Sequence, residues 1–230
     1  MFIFYLTLYK KTNILIVYCL KEKYTLPDIK LLESNKNFDF FLWQPDRIYI
    51  VLGRSDNIES AINLAQAKKY QACILKRPSG GHTVILSPKT IVISSLIKRN
   101  KINGAQVSNI INNIILQALF DLNIKNVSKR GISDLAINDK KILGSSIYRP
   151  KLGQYFYHAV LNHSLDPQII NKLLLFPKRQ PAYRKNRSHS EFITSLAKEG
   201  YNITIREIIW MLTQKFENYI QKIKNQEQKL

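Results

Sequence analysis

The chain has 230 residues, 45% of them hydrophobic, which suits one large folded domain and excludes an intrinsically disordered chain. Lys and Arg total 35 against 16 Asp and Glu, a net charge of +19, and such a balance calls for an acidic or polyanionic partner. Cys19 and Cys73 are the only cysteines, too few and too far apart for a disulfide framework or a four-ligand zinc site, so a reducing, cytoplasmic setting is expected.

Nucleic acid is the default partner for such a charge. Against it, the basic residues are scattered, and Ile and Asn are abundant beside Lys, so a general residue bias supplies part of the excess. The apolar opening, Met1 to Leu20, is interrupted by Lys10 and Lys11 and falls short of the roughly 20 residues of a membrane helix. Its positive charge lies mid-segment and no small-residue cleavage site follows, which argues against a secretory signal.

In chain order, Phe2 to Tyr9 and Ile14 to Leu20 read as a β-hairpin, being rich in aromatic and β-branched residues. Leu26 to Ser34, opening on Pro27 and Asp28, reads as a short helix. Phe38 to Trp43 and Arg47 to Leu52 are strand-like around the turn Gln44-Pro45-Asp46, and Ile58 to Lys69 carries helical spacing. Cys73 to Leu75 leads as a strand into Lys76-Arg77-Pro78-Ser79-Gly80-Gly81-His82, after which Thr83 to Leu86 and Thr90 to Leu96 read as a hairpin turned at Ser87-Pro88. A long amphipathic helix from about Ala105 to Leu122 follows, with Val107, Ile110, Ile111, Ile114, Ile115, Ala118 and Leu119 as its core stripe. Leu135 to Ile137 and Lys141 to Leu143 are strands about the Asn138-Asp139 turn, and Gly144-Ser145-Ser146 is expected to break the second. Tyr155 to Leu161 is a strand, Asp166 to Leu174 a short helix, Pro177 to His189 a basic connection, and Thr204 to Lys229 a final helix. The fold class is therefore α+β, a mixed and largely antiparallel central sheet flanked by helices.

The Gly80-Gly81 loop is the stretch most suited to chemistry. Without Cβ atoms, its backbone N–H groups can approach a phosphate or carboxylate, and Arg77 can offer two parallel hydrogen bonds. An ordinary Gly-Gly turn beside a solvated Arg explains the same residues. Neither a G-x-x-x-x-G-K-[ST] nor a G-x-G-x-x-G loop is present, so a nucleotide would have to be bound by another design.

Four stretches in order resemble the lipoate-protein ligase A family, within the superfamily of biotin/lipoate-protein ligases and octanoyltransferases. They are Ile50 to Asn57, containing Gly53-Arg54; Lys76 to His82; Ser133-Asp134-Leu135 with Asp139 to Ser146; and Pro181 to His189. Together they span roughly Phe38 to Phe192. The resemblance implies a biotin/lipoate-ligase-like fold and a single catalytic domain over 1–230, without a C-terminal accessory domain. It implies that ATP and lipoate, or octanoate, give an acyl-adenylate and pyrophosphate, and that the acyl group passes to a lysine of a lipoyl domain.

On the same resemblance, Lys141 is the catalytic residue at the acyl-phosphate oxygens. Arg54, Arg77, Ser79, Gly80, Gly81, His82, Gly144, Ser145 and His158 are substrate- and nucleotide-binding, and Asp134 helps hold Mg2+. The implied partners are acidic lipoyl domains of 2-oxoacid dehydrogenase E2 subunits and the glycine cleavage H protein, with room for a separate accessory subunit and no role for membrane or nucleic acid. Read from residue type alone, Lys141 is a solvated cation, Asp134 a turn residue and His158 a core histidine.

Three departures mark this chain: His82 in place of a third Gly, Leu143 in place of Ser, and Tyr157-His158-Ala159 in place of His-His-Gly. The main rival is ATP-independent acyl transfer between carrier proteins, which requires a thiolate nucleophile. Neither cysteine falls where that nucleophile is expected. Biotin transfer lacks its Gly-Arg-Gly-Arg-type loop, and a silent acyl- or nucleic-acid-binding relative is the remaining alternative.

Overall fold

The computed structural model describes residues 20–21 and 24–228. The expected hairpin over Phe2 to Leu20 lies outside them but for Leu20, which with Lys21 forms β1 (Leu20–Lys21). A 3-10 helix, Pro27–Glu33, stands where a short helix was expected. Then come β2 (Phe38–Trp43), β3 (Tyr49–Leu52), α1 (Ile58–Ala61), α2 (Leu64–Lys69), β4 (Cys73–Lys76), β5 (Val84–Leu86), β6 (Thr90–Lys98) and α3 (Gly104–Asp121). The remaining elements are β7 (Val127–Arg130), β8 (Asp134–Ile137), β9 (Lys140–Lys151), β10 (Gln154–Asn162), α4 (Pro167–Leu173), α5 (His189–Phe192) and α6 (Ile205–Glu227).

Two sheets result. The larger has the order β2-β6-β10-β9-β8-β7 and the smaller the order β1-β4-β3-β5. Every pairing in the larger sheet is antiparallel, whereas β1, β4 and β3 run parallel and β5 antiparallel to β3. Alternation along β6 shows how the layers stack. Ile91 and Ile93 join the apolar core built with Ile111, Ile115, Leu119, Leu212 and Phe216 of α3 and α6. Val92, between them, packs with Val51, Leu75 and Leu86 of the smaller sheet. The larger sheet thus carries helices on one face and the smaller sheet on the other.

Several expectations are corrected. Val84–Leu86 and Thr90–Lys98 do not form a hairpin: β5 pairs with β3 and β6 with β2 and β10. The corner is locked by Thr90, whose hydroxyl donates to the Ser87 carbonyl at 2.9 Å and accepts from the Ser87 N–H at 3.0 Å. The helical spacing of Ile58 to Lys69 resolves into two short helices because Asn57 and Asn63 each cap one, and extended Ile62 between them bridges to Leu174. Gly144-Ser145-Ser146 does not end its strand; β9 runs through it, paired with Val160, Ala159 and His158 of β10. β7 was not anticipated, because its polar, largely exposed residues show no apolar alternation, as suits an edge strand.

The two long helices follow the sequence closely. α3 is capped by Asn103 with Gln106 as a capping box, and α6 by Thr204 with Glu207, the side chains supplying partners for otherwise unpaired N–H groups. Phe216 of α6 is fully buried and stacks on Phe40 at 4.9 Å between ring centres. Phe216→Ala is expected to lower unfolding free energy by about 3–5 kcal/mol, read from urea denaturation. A loss under about 1 kcal/mol would show that α6 is not part of the cooperative core.

Candidate active site

β3 and β4 are parallel neighbours, so the chain leaves both at the same edge, and the two exit loops are interlocked there. The Arg77 N–H donates to the Leu52 carbonyl at 3.0 Å, and the Arg54 N–H donates to the Ser79 carbonyl at 2.9 Å. At their crossing only glycine fits: a Cβ on Gly53 would stand 1.8 Å from the Gly81 carbonyl oxygen. Gly81 itself has a φ of +83°, a region that L side chains rarely adopt. Asp56 ties the far side, accepting from the Thr83 N–H and hydroxyl, both at 2.7 Å.

Arg77 lies beneath this loop rather than over a free anion site. Its Nε donates to Ser79 Oγ at 2.9 Å, Nη1 to the Val51 carbonyl at 3.0 Å, and Nη2 to the carbonyls of Gly80 and His82, both at 2.8 Å. Four of its five N–H groups are so committed, and the expected pair of parallel bonds to a ligand is not available. Burial pushes its pKa down to about 10, so the guanidinium stays charged at neutral pH. Ser79 Oγ continues the chain to His158 Nε2 at 2.5 Å. Since Arg77 Nε can only donate, the Ser79 hydroxyl is free to donate to a neutral imidazole. Burial, with Arg77 adding to it, pushes the His158 pKa down to about 3.

The facing wall is made by β8 and β9. Lys141 Nζ pairs with Asp134 Oδ1 at 2.8 Å, and the Tyr183 hydroxyl donates to Asp134 Oδ2 at 2.7 Å. The Lys141 side chain is 28% exposed and that of Asp134 only 7%. Gly144 makes this possible: a Cβ there would lie 2.5 Å from Lys141 Nζ, so the amine lies across the strand where any side chain would stand. Burial and the Asp134 charge hold the Tyr183 phenol far above its ordinary pKa, leaving it a fixed donor. Ser145 anchors the neighbouring turn through its N–H and hydroxyl, both on the Ser133 carbonyl, and Ser146 Oγ reaches across the cleft to the Gly80 carbonyl at 2.8 Å.

Between these walls runs a cleft of about 920 Å3. Its lining is mixed: apolar Val51, Leu86, Val92, Val160, Ile170 and Leu174 contribute to it, as do basic or titratable Arg77, His82, Lys141, Arg184 and His189. Gly81, Asp134, Gly144, Ser145 and His158 also line it. Of the expected site residues, Arg54, Ser79 and Gly80 do not. Arg54 is exposed and serves through its backbone, Ser79 is buried behind the loop, and the Gly80 carbonyl is held by Arg77 and Ser146.

Each Asp134 oxygen already holds one partner, and no group of three His, Cys, Asp or Glu side chains among the described residues could by itself hold a metal, so a magnesium ion beside Asp134 would draw most of its ligands from phosphate oxygens and water. Asp56, Tyr183, Arg184 and His189 were not singled out in the sequence. The Pro181 to His189 motif held three of them, but spacing alone does not say which of its side chains turn inward.

The family model of the lipoyl protein ligase A/B catalytic domain matches residues 22–217, and the chain belongs to that family. Among curated proteins it is similar to a lipoate–protein ligase 1 of Plasmodium falciparum, 27% identical over 206 residues covering 86% of this chain and 48% of that one. A lipoate-protein ligase A of Bdellovibrio bacteriovorus is 27% identical over 194 residues, 78% of this chain and 52% of that one. The chain spans about half the length of these relatives. Among solved structures, P. falciparum LipL1 in complex with lipoate superposes with a TM-score of 0.67 at 21% identity, covering 89% of this chain and 60% of that one. A lipoate-protein ligase A bound with ATP gives 0.71 at 15%, covering 89% and 85%. The bipartite lipoate protein ligase of Thermoplasma acidophilum, described with its E2 lipoyl domain, gives 0.70 at 17%, covering 81% and 72%. At these identities the structural likeness establishes the fold.

Two predictions come from this geometry. Gly53→Ala, which meets a backbone oxygen, should lower the melting temperature by several degrees, whereas Gly144→Ala, which meets the end of a flexible Lys, should leave it nearly unchanged. Thermal melts of both decide it, and equal losses would contradict the contact difference. Burial lowers the pKa of His82, His158 and His189 in the fold, so below an unfolded value near 6.5 the unfolded chain binds more protons. Stability is therefore complete above about pH 7 and falls as pH drops toward 4; the raised pKa of buried Asp28 acts oppositely over its own window. Urea midpoints at pH 7.5 and 5 should drop accordingly, and less so in His158→Asn.

Proposed function

We propose that the protein is a lipoate-protein ligase: it activates lipoate, or octanoate, as an acyl-adenylate with ATP and transfers the acyl group to a lysine of a lipoyl domain. The observation that carries this reading is Lys141, held across Gly144 by Asp134, which Tyr183 in turn fixes, in one cleft lined by both apolar and basic side chains. An acyl chain suits the apolar part of the lining, and the Lys141 amine suits its carboxylate and the phosphate oxygens.

In the first step a carboxylate oxygen attacks the α-phosphorus and the P–O bond to pyrophosphate breaks. In the second, the acceptor lysine nitrogen attacks the acyl carbonyl, AMP leaves with the C–O bond electrons, and the nitrogen loses its proton. Negative charge grows on oxygen in both, so a fixed ammonium in a cleft partly closed to water lowers both barriers. Asp134 keeps Lys141 positioned without removing its cationic tip from the cleft, and Tyr183 fixes the carboxylate. The interlocked Gly53 and Gly80-Gly81 loops keep the opposite wall rigid. Magnesium would arrive with the nucleotide phosphates, since the described residues offer it no closed cage.

The acceptors are acidic lipoyl domains of 2-oxoacid dehydrogenase E2 subunits and the glycine cleavage H protein, drawn by the +19 charge. Cys73 does not suit the nucleophile of a thiol-based transferase: it is 5% exposed, packs among Tyr24, Val51 and Leu75, and does not line the cleft; Cys19 lies outside the described residues. No helix among the described residues is long and apolar enough to cross a membrane.

The test is mass spectrometry of a lipoyl-domain acceptor incubated with the protein, lipoate, ATP and magnesium, in parallel with synthetic lipoyl-adenylate alone. A lipoyl mass shift in the first reaction is expected. A shift only in the second would restrict this chain to the transfer half, and none in either would overturn the reading. Lys141→Ala should fold normally and lose about 10²–10³-fold in rate; an undiminished rate would remove Lys141 from the mechanism.

A further inference from the structure

Arg187 does not line the cleft, yet its guanidinium closes a circuit that runs through the Lys141 corner. Nη2 donates to two carbonyls, that of Tyr183 at 2.8 Å and that of Asp139 at 3.0 Å, and Nε donates to the Arg184 carbonyl at 3.0 Å. The guanidinium carbon lies 5.3 Å from the ring centre of Phe192, and that ring stands 5.0 Å from the ring of Tyr183. Arg184 Nε returns a bond to the Arg187 carbonyl at 2.9 Å. Side chain and backbone of Arg187 are thus both tied into the loop.

The two carbonyls that Nη2 joins belong to opposite sides of the corner. Asp139 sits in the tight turn between β8 and β9, just ahead of Lys141, with Asn138 and Asp139 at φ of +48° and +62°, as a two-residue hairpin turn requires. Tyr183 donates to one oxygen of Asp134, and the other oxygen takes the Lys141 amine. Asp139, Lys141, Asp134, Tyr183 and Arg187 therefore form a closed ring in which one guanidinium nitrogen bridges a turn and a distant loop. That loop is strained. Its 3-10 turn, Ala182–Arg184, is followed by Lys185 and Asn186 at φ of +51° and +58°, a region costly for side chains other than glycine. Such a conformation persists where the surroundings over-determine it.

We propose that Arg187 is a positioning residue for acyl transfer: by tying the Tyr183 carbonyl to the Asp139 turn, it fixes the Tyr183 hydroxyl on Asp134 and, through Asp134, the place of the Lys141 amine. The proposal rests on the reading of Lys141 as the ammonium at the reacting oxygens. The task needs the shape of a guanidinium as well as its charge. Three carbonyls from three residues are reached by N–H groups fixed in one plane, whereas the ammonium of a lysine is a point donor on a flexible stem. Because Arg187 stays outside the cleft lining, its loss acts on the chemical step and leaves the hold on the substrates. A shift of the amine of about 1 Å is enough for a large loss of rate.

The test has two readouts. In the first, the purified chain is labelled with a trace of acetic anhydride, and mass spectrometry gives the acetylation rate of Lys141 relative to that of Lys224, exposed on α6. Arg187→Gln should raise that ratio by about threefold or more, because an amine released from its charge-assisted bond to Asp134 is a freer nucleophile. Arg187→Lys, which keeps the charge but not the fork, should raise it as much. In the second, steady-state lipoylation of a lipoyl-domain acceptor, both variants should lose about tenfold or more in kcat, with KM for lipoate and ATP within about twofold of wild type. Tyr183→Phe should add little to the Arg187→Gln loss, since both act through Asp134. Should Arg187→Gln fail to fold by circular dichroism, Arg187→Lys carries both readouts. Wild-type behaviour of Arg187→Lys, a fully additive Tyr183→Phe loss, or an unchanged labelling ratio in the folded variants overturns the proposal. The labelling needs no turnover: a raised ratio in a chain whose wild type forms no acyl-adenylate would sink only the ligase reading, and full turnover with an unchanged ratio would sink only the role of Arg187.

Discussion

The buried guanidinium of Arg77 is the contact on which the site depends. It reaches the Val51 carbonyl in β3 and the Gly80 and Gly81-flanking His82 carbonyls in the loop, with Ser79 completing the set. The Val51 carbonyl is buried, where an unpaired acceptor is costly, and one planar, always charged side chain satisfies it together with the two loop carbonyls. A lysine in that place would offer a single point of charge and could not span them. The loop is consequently a fixed wall, and the interlocking with Gly53 leaves it no room to shift toward β3.

On the opposite wall the same logic is applied to a single ammonium. Asp134 is nearly buried, and its two oxygens are shared between Lys141 and Tyr183. The carboxylate so anchored gives the amine a defined place while 28% of the Lys141 side chain remains exposed. The absent Cβ of Gly144 is what lets the amine lie there. Positioning is what these residues would contribute to the proposed acyl transfer.

The surface charge and the site charge have separate consequences. Scattered lysines set the long-range field and so the rate at which an acidic partner arrives. Inside the cleft a few partly buried groups decide what is held. Among the described residues, Asp56 and Asp134 are the carboxylates that line it, and both are engaged by the protein's own donors.

From residue order alone came the α+β class, the two long helices, the strands that carry the motifs, and the family resemblance in the Gly53, Gly80-Gly81, Lys141 and Pro181 to His189 stretches. Those are local matters: apolar periodicity, capping side chains such as Asn103 and Thr204, and glycines where backbone approaches backbone. Tertiary structure alone decided that β5 and β6 belong to different sheets, that Gly144 sits inside a continuous strand, and that Arg54 turns outward while Arg184 turns inward. It also turned Arg77 from an expected ligand clamp into the support of its own loop, and set Asp134 between Lys141 and Tyr183. The physical reason is common to all of these. A polar side chain's role is fixed by which partners burial leaves within reach, and residues far apart in the chain, such as Val51 and Arg77 or Asp134 and Tyr183, meet only when the sheets have closed.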